Sequence, residues 1–535
     1  MIKKIISYAL CATTVLALVG CNDATKPLQQ KTYPQYTDVI ELGGATTTHE
    51  TSNSGHGFST PALNLTSSQL EQHLAGDADF ELSFTSAPNV QHPDMDGLGP
   101  VFNNVNCNAC HQRDGRPSTV VVAKGAAPVL LTHAAGIFLR ISIEPSSQQC
   151  DKQTAENNYC APIAVPGFSD QLFHRGVLQA RHDWTSNPSI GQADVYLSYQ
   201  YSDFTLEGGE IVTLKKPIFE VRNPYDAPNE VFNQGNNNSR LFQDDVKFGA
   251  RNGMPVFGLG LLEAIAEQDI LALADPDDSN KDGISGRANY VFDKIKAMAN
   301  DPNPVSIGRF GWKANTPTVR QQSLGALRGD MGVTNPMFTQ ESVARTPLHD
   351  DYLARTNWQD TGSGSDGAPE ASAQFSDDVT FYVETLAVPA RRKIGDSEVR
   401  QGAWLFEQLN CTGCHTPSFT TPTNIKIGGL DAIAALEQQT IYPFTDMLLH
   451  DMGEGLADGR RDFLASGNEW KTRPLWGIGL TRTVNPGAGW LHDGRAATLE
   501  EAILWHGGEA LASQQQYKEL SKEDRAAVVS FLMSL

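Results

Sequence analysis

The sequence predicts a mainly α-helical protein of two domains, with loops and a small β-hairpin inserted in the first. Three observations predict it. A Cys-x-x-Cys-His pentad occurs twice, at Cys107–His111 and Cys411–His415, and Phe102 and Asn106 precede the first at the offsets of Phe406 and Asn410 before the second. The stretch "RNGMPVFGLGL" (251–261) echoes "RPLWGIGL" (473–480), sharing Pro-x-x-Gly-x-Gly-Leu after an upstream Arg. Apolar residues fall at helical spacing before the second pentad (Val399, Ala403, Phe406) and in the last segment (Val528, Phe531, Leu532, Leu535). An old duplication accounts for all three. The expected boundaries are a signal over 1–20, a linker over 21–60, a first domain over 61–390 and a second over 391–535. The junction falls near "LAVPARRKIGD" (386–396).

Taken in chain order, Lys3 and Lys4 precede an apolar run from Ile5 to Val19, and Gly20-Cys21 follows. A basic start, a short apolar stretch and small residues at the cleavage point form an export signal. Cysteine directly after that point predicts a lipoprotein with Cys21 as the lipidated residue. The apolar run, roughly 15 residues, falls short of the 20 or so that span a bilayer. The expectation is therefore an exported body tethered by lipid alone, on the periplasmic face of the inner or outer membrane of a Gram-negative-type cell. The remaining length suffices for at least two cores. The net charge of −21 becomes two units more negative once Lys3 and Lys4 leave. Such a surface excludes nucleic acid as a partner and suits a basic protein or a small uncharged substrate.

Eight cysteines divide cleanly. Cys11 leaves with the signal, Cys21 carries lipid and four belong to the pentads. Cys150 and Cys160 bracket the polar stretch "CDKQTAENNYC" and predict a disulfide in an oxidising compartment.

A Cys-x-x-Cys pair alone suits a zinc corner, a redox dithiol or a haem anchor. Zinc needs four ligands from two paired motifs brought together, and a dithiol has no use for the trailing His. Cys-x-x-Cys-His in an exported chain reads as covalent c-type haem attachment, with His111 and His415 as iron ligands. Two pentads predict two haems, and the two domains become cytochrome c-like haem domains.

Within the first domain, "YQYSDFTL" and "IVTLKKPIFEV" flank Glu207-Gly208-Gly209-Glu210 and predict a hairpin. A Gly/Ser-rich loop, "TGSGSDGAPEASA" (361–373), precedes the last helix of that half. Ser521 and Asp524 can cap the C-terminal helix.

What fills the second axial position of each iron decides function. For the second haem, Thr498 and Glu501 can start a short helix that Gly507-Gly508 end. Leu499, Ile503 and His506 share one face, which offers His506 as the sixth ligand or as a histidine capping the helix end. Here the chain resembles a family. "HDGRAATLEEAI" resembles the bacterial di-haem cytochrome c peroxidases and the di-haem enzyme that matures methylamine dehydrogenase. "DGLGPVFNNVNCNACHQRDGRP", "GLGLLEAI", "LAVPARR", "LLHDMGEGLADG" and "LHDGRAATLEEAILWHGGEA" more closely resemble the di-haem oxidoreductases grouped with peroxidases, also called thiol oxidoreductases. The resemblance runs from about residue 80 to the C-terminus. It implies iron ligation at the offset of His506, and a histidine there, where Met or Tyr is usual, implies two imidazoles on the second iron.

For the first haem the Gly-rich segment leads to Glu263, expected near the distal side as a carboxylate that shuttles a proton; a surface or capping carboxylate is the alternative. His133 and His174 are rival ligands there. His450, Met447 and Met452 lie close together in the second domain, with packing as their plainer role. "DPDDSNKDGISG" (275–286) sets Asp278, Asn280 and Asp282 at alternate positions before Gly283, a pattern suited to calcium, although Asn289 stands where an EF-hand has Glu. The related peroxidases place calcium between their haems, but this loop does not match that site residue by residue.

The function expected is a di-haem peroxidase that takes electrons at the second haem and reacts with peroxide or another small oxidant at the first. Its electron donor would be a small redox protein such as a cytochrome c or a cupredoxin. Two other readings stand beside it: a non-catalytic electron-transfer cytochrome and a protein-modifying di-haem oxidase.

Overall fold

The computed structural model describes residues 31–50, 55–86, 89, 91, 95–131, 136–146, 160–176, 191–232, 238–356, 368–425, 428 and 432–535. It corrects the expected fold class. Helix accounts for 31% and strand for 19%, so the chain is not mainly α with two cytochrome c-like domains. Six small sheets interleave with the helices among the described residues. None of the described helices is long and apolar enough to cross a membrane.

The strand content comes chiefly from the long insertion after the first pentad. Strand β1 (Ile137–Ile143) is aliphatic at alternate positions (Ile137, Leu139, Ile141, Ile143) and pairs antiparallel with β4 (Val246–Asn252), Ile137 opposite Asn252. Between them lies the expected hairpin of β2 (Asp194–Thr205) and β3 (Ile211–Arg222), with Thr205 opposite Ile211 and a turn at Glu207–Gly209. These strands bury Leu139, Ile141, Leu197 and Val221 in a core of their own. The hairpin tip reaches the opposite end of the sequence, where Glu210 pairs with Arg525 at 2.7 Å.

Two helix crossings carry the rest. Helix α1 (Ser67–Glu81) starts at a full capping box, Thr66 with Gln69. It crosses α4 (Ala373–Thr385), with Gly76 against Tyr382. Helix α5 (Ser397–Gln408) crosses α7 (Lys522–Ser534), with Gly402 against Phe531, and the Ser521 hydroxyl caps α7. The two crossings are copies. Phe80 leaves α1 to lie 6.2 Å from the His111 ring at 52°, and Phe406 leaves α5 to lie 6.1 Å from His415 at 52°. Phe80, not Phe102, is thus the structural counterpart of Phe406, because the chain between α1 and the first pentad carries an extra loop.

The two halves are not closed off from one another. The backbone N–H of Asn252 donates to His492 O (2.8 Å), and that of Lys471 donates to Trp312 O (3.0 Å). Each Gly-rich segment therefore bonds the loop of the other half. One apolar core runs from Tyr36 to Leu535. The junction at 386–396 passes through it: Leu386, Ala387, Val388 and Ala390 are buried, and Arg391 donates to the carbonyls of Tyr36 and Thr37.

Candidate functional site

Each pentad opens on its own cavity. Cys107, Cys110 and His111 line one of about 90 Å³, and Cys411, Cys414 and His415 line one of about 250 Å³. The pentads do not combine, so a four-ligand zinc corner is not formed. Burial pushes the thiols of Cys107, Cys110 and Cys411 up to about 12 and raises that of Cys414. Neutral thiols of this kind do not suit a redox dithiol, which works through a lowered pKa. All four are free of disulfides.

The histidines are oriented by backbone carbonyls. His111 Nδ1 bonds Met254 O at 2.5 Å, His415 Nδ1 bonds Phe444 O at 2.9 Å, and His506 Nδ1 bonds Ala502 O at 2.8 Å. Each bond leaves Nε2 for a metal. Burial also lowers the pKa of all three, to about 4 for His415, which favours the neutral, ligating imidazole. A pair of thiols beside an apolar cavity, followed by an imidazole with a free Nε2, fits a haem in both places.

A helix capped by threonine contributes to the wall of each cavity. Thr318 caps α3 (Val319–Met331) through Gln321 N, and Thr498 caps α6 (Leu499–Leu504) through Glu501 N. The turns before them match. Phe310 bridges Thr316 as Trp490 bridges Ala496, and Gly311 and Leu491 both have positive φ, +78° and +71°. From these caps, Val319, Gln322, Ser323 and Ala326 line the first cavity at the offsets of Leu499, Ala502, Ile503 and His506 in the second. His415 and His506 face one cavity. At the place of His506, the first cavity has the methyl group of Ala326.

The other expected residues disperse. Glu263, on α2 (Leu259–Ala264), is buried outside both linings, where its carboxylate accepts from Val319 N and Gly428 N at 2.6 Å each. It holds the start of α3, and burial raises its pKa to about 7. The Gly-rich segment before it lines the first cavity with Met254, Pro255, Val256 and Leu259 and supplies Met254 O to His111. His174 is buried without lining either cavity, and His133 lies outside the described residues. His450 lines the second cavity, but Asp446 and Glu509 take both its nitrogens at 2.7 Å and hold its pKa up to about 12. Met452 lines the same cavity, whereas Met447 is packed in the core.

In the acidic loop, Asp278 and Asp282 accept from Gly283 N and Ile284 N, and Asn280 Nδ2 bonds Asp282. Asn289 is buried elsewhere, on the carbonyls of Lys313 and Asp462. Cys160 is buried and disulfide-bonded, whereas Cys150 and Cys21 lie outside the described residues.

Gln322, Ser323 and Ala326 were missed in the sequence. The signal was present in the two threonine caps, but "TPTVRQQSLGAL" and "AATLEEAILWHG" share almost nothing else. A family model described as "Di-haem oxidoreductase, putative peroxidase" matches residues 36–535. No curated protein matches the chain.

Proposed function

The chain belongs to the di-haem oxidoreductase family and carries two haems, and from that premise we propose a peroxidase that takes single electrons at the His415 cavity and reacts with a small peroxide at the His111 cavity. Cys107 and Cys110 would hold one haem covalently, Cys411 and Cys414 the other. A haem held by two imidazoles passes single electrons, whereas one held by a single imidazole also accepts a small oxygen ligand. The observation that carries the reading is the pair Ala326 and His506: equivalent places, one without a donor atom and one with an imidazole.

The residues around the first cavity suit that role. His111 is fixed by Met254 O and presents Nε2. In the same cavity, the Gln322 carbonyl accepts from the Thr316 hydroxyl at 2.6 Å, which leaves the Gln322 NH2 as a donor for a bound oxygen. Ser323 adds a hydroxyl that can pass a proton. Phe80, Val319, Val379 and Val383 exclude water from the rest of the wall.

An export signal with lipid on Cys21, a periplasmic-side location and a small basic redox protein as donor complete the proposal; the acidic charge of the chain supports that partner. The test is the ferric protein itself. Its mass should include two haems, and its optical and electron-spin spectra should contain one high-spin and one low-spin iron. With a reduced cytochrome c it should consume hydrogen peroxide. Two low-spin irons and no turnover would instead identify an electron carrier.

A further inference from the structure

Three cations gather where the two cavities meet. Arg116, Lys471 and Arg473 line the second cavity, and Arg473 also lines the first, together with Pro255 and Leu259. Arg116 and Lys471 are almost wholly inaccessible. Arg473 is half-buried. The guanidinium groups of Arg116 and Arg473 lie 5.3 and 5.2 Å from the Trp312 ring.

None of the three has a carboxylate partner among the described residues. Lys471 Nζ donates to the carbonyl of Arg309, Arg116 donates one bond to Leu491 O, and Arg116 Nε has no partner. Arg473 makes no hydrogen bond or ion pair among the described residues. Asp493 acts on Arg116 from a distance, but Arg495 holds it through Nε and Nη2. The contrast lies close by. Arg251 and Lys313, equally buried, close on Asp458 at 2.7 and 3.0 Å.

Burial without a counter-charge lowers Arg473 to about 10 and Arg116 to about 9, and pushes Lys471 well below its usual value, with Arg473 adding to the effect on both. Uncompensated buried cations are costly, so something anionic belongs there.

We propose that Arg473, with Arg116 and Lys471, holds carboxylates brought by the two haems, their propionates, and ties the two cavities together through one shared guanidinium. The inference rests on the two-haem reading above. A guanidinium fork offers parallel donors to a carboxylate and has donors on more than one edge, so one arginine can serve both sides. Its charge also favours the reduced state of both irons, because reduction removes one positive charge beside it.

The test uses the loaded, full-length protein and its potentials. Mass spectrometry first counts the haems, and a redox titration followed optically then gives both midpoint potentials. In Arg473→Gln both should fall; in Arg473→Lys, which keeps the charge, both should lie between wild type and Gln. If only one potential moves, or neither, the shared clamp is overturned. Acetate is the probe for a free carboxylate: if it shifts the spectrum of the wild type but not of Arg473→Gln, the cluster serves a diffusible anion and the proposal fails. If Arg473→Gln does not load, Arg116→Gln carries the measurement, and it must lower the potential of the low-spin haem. Wild-type protein without two haems would sink the functional reading instead, a separate outcome from unmoved potentials in a di-haem protein.

Discussion

Gly258 and Gly477 share a φ of +69°, and each sits against an aromatic ring from the other's segment, Gly258 against Trp476 and Gly477 against Phe257. A Cβ on Gly258 would stand 2.8 Å from the Trp476 ring, and one on Gly477 still closer to Phe257. The reciprocity is a local two-fold relation between the repeats, and it fixes the wall that both cavities share.

Gly258→Ala should therefore destabilise on two grounds, a left-handed backbone and a ring that cannot move aside, together about 2–5 kcal/mol. Thermal melting of the loaded protein reads the loss. In Gly477→Ala, adding Phe257→Leu should recover part of it. Strict additivity of those two changes would show that the ring contact is not the cause.

Replacing Ala326 by His should place an imidazole where the second cavity has His506. The high-spin signal should turn low-spin, and peroxide turnover should fall by roughly 100-fold, about 2.7 kcal/mol in barrier. A variant that keeps both the high-spin signal and turnover would mean that Ala326 is not at the sixth position.

His506→Ala makes the opposite change. The covalent haem count should stay at two, the low-spin signal should become high-spin, and the potential of that haem should move. An unchanged low-spin spectrum would hand the position to another residue, with Met452 the next donor in that cavity.

His450→Ala separates the two histidines of the second cavity. It leaves Asp446 and Glu509 without the imidazolium they enclose, a loss of about 3–5 kcal/mol for a buried pair broken on one side. Melting should drop sharply while the low-spin spectrum stays. A spectrum that turned high-spin would make His450 the ligand and Asp446 and Glu509 merely its neighbours.

Glu384 lies buried with no hydrogen bond to either carboxyl oxygen among the described residues, and burial first, then the charge of Glu263, pushes its pKa well up. Glu263 keeps its proton in the folded protein to about 7, against 4.5 for an ordinary glutamate. The unfolded chain therefore holds fewer protons than the folded one between these values, so stability falls as pH rises through that window. The pKa of Glu384 moves in the same direction, so Glu384→Gln should melt higher than wild type at pH 8 and no higher at pH 4.5. A gap independent of pH would refute the account.

The sequence by itself determined where the two Cys-x-x-Cys-His pentads fall and that a Gly-rich segment recurs. The pentads, the threonine cap before His506 and the Gly-rich echo are local patterns, written in residues close together in the chain. The hairpin was legible for the same reason, since β-branched runs on either side of Gly208-Gly209 are a short-range signal. The remaining strands were not, because "IFLRISI" is too short for its period to stand against a helical expectation.

Only the tertiary structure decided what shares a cavity with His111. The two threonine-capped helices have diverged until almost nothing but the capping threonine is shared, so Ala326 has no sequence mark and is picked out only by the offset it shares with His506. The extra loop before the first pentad hid Phe80 behind Phe102 in the same way. Arg473 belongs to the second repeat in sequence and to both cavities in space, because each Gly-rich segment hydrogen-bonds the loop of the opposite half. The gathering of Arg116, Lys471 and Arg473 without a carboxylate partner among the described residues is likewise a property of three dimensions. A sequence gives the charge of a side chain, and packing decides whether anything answers it.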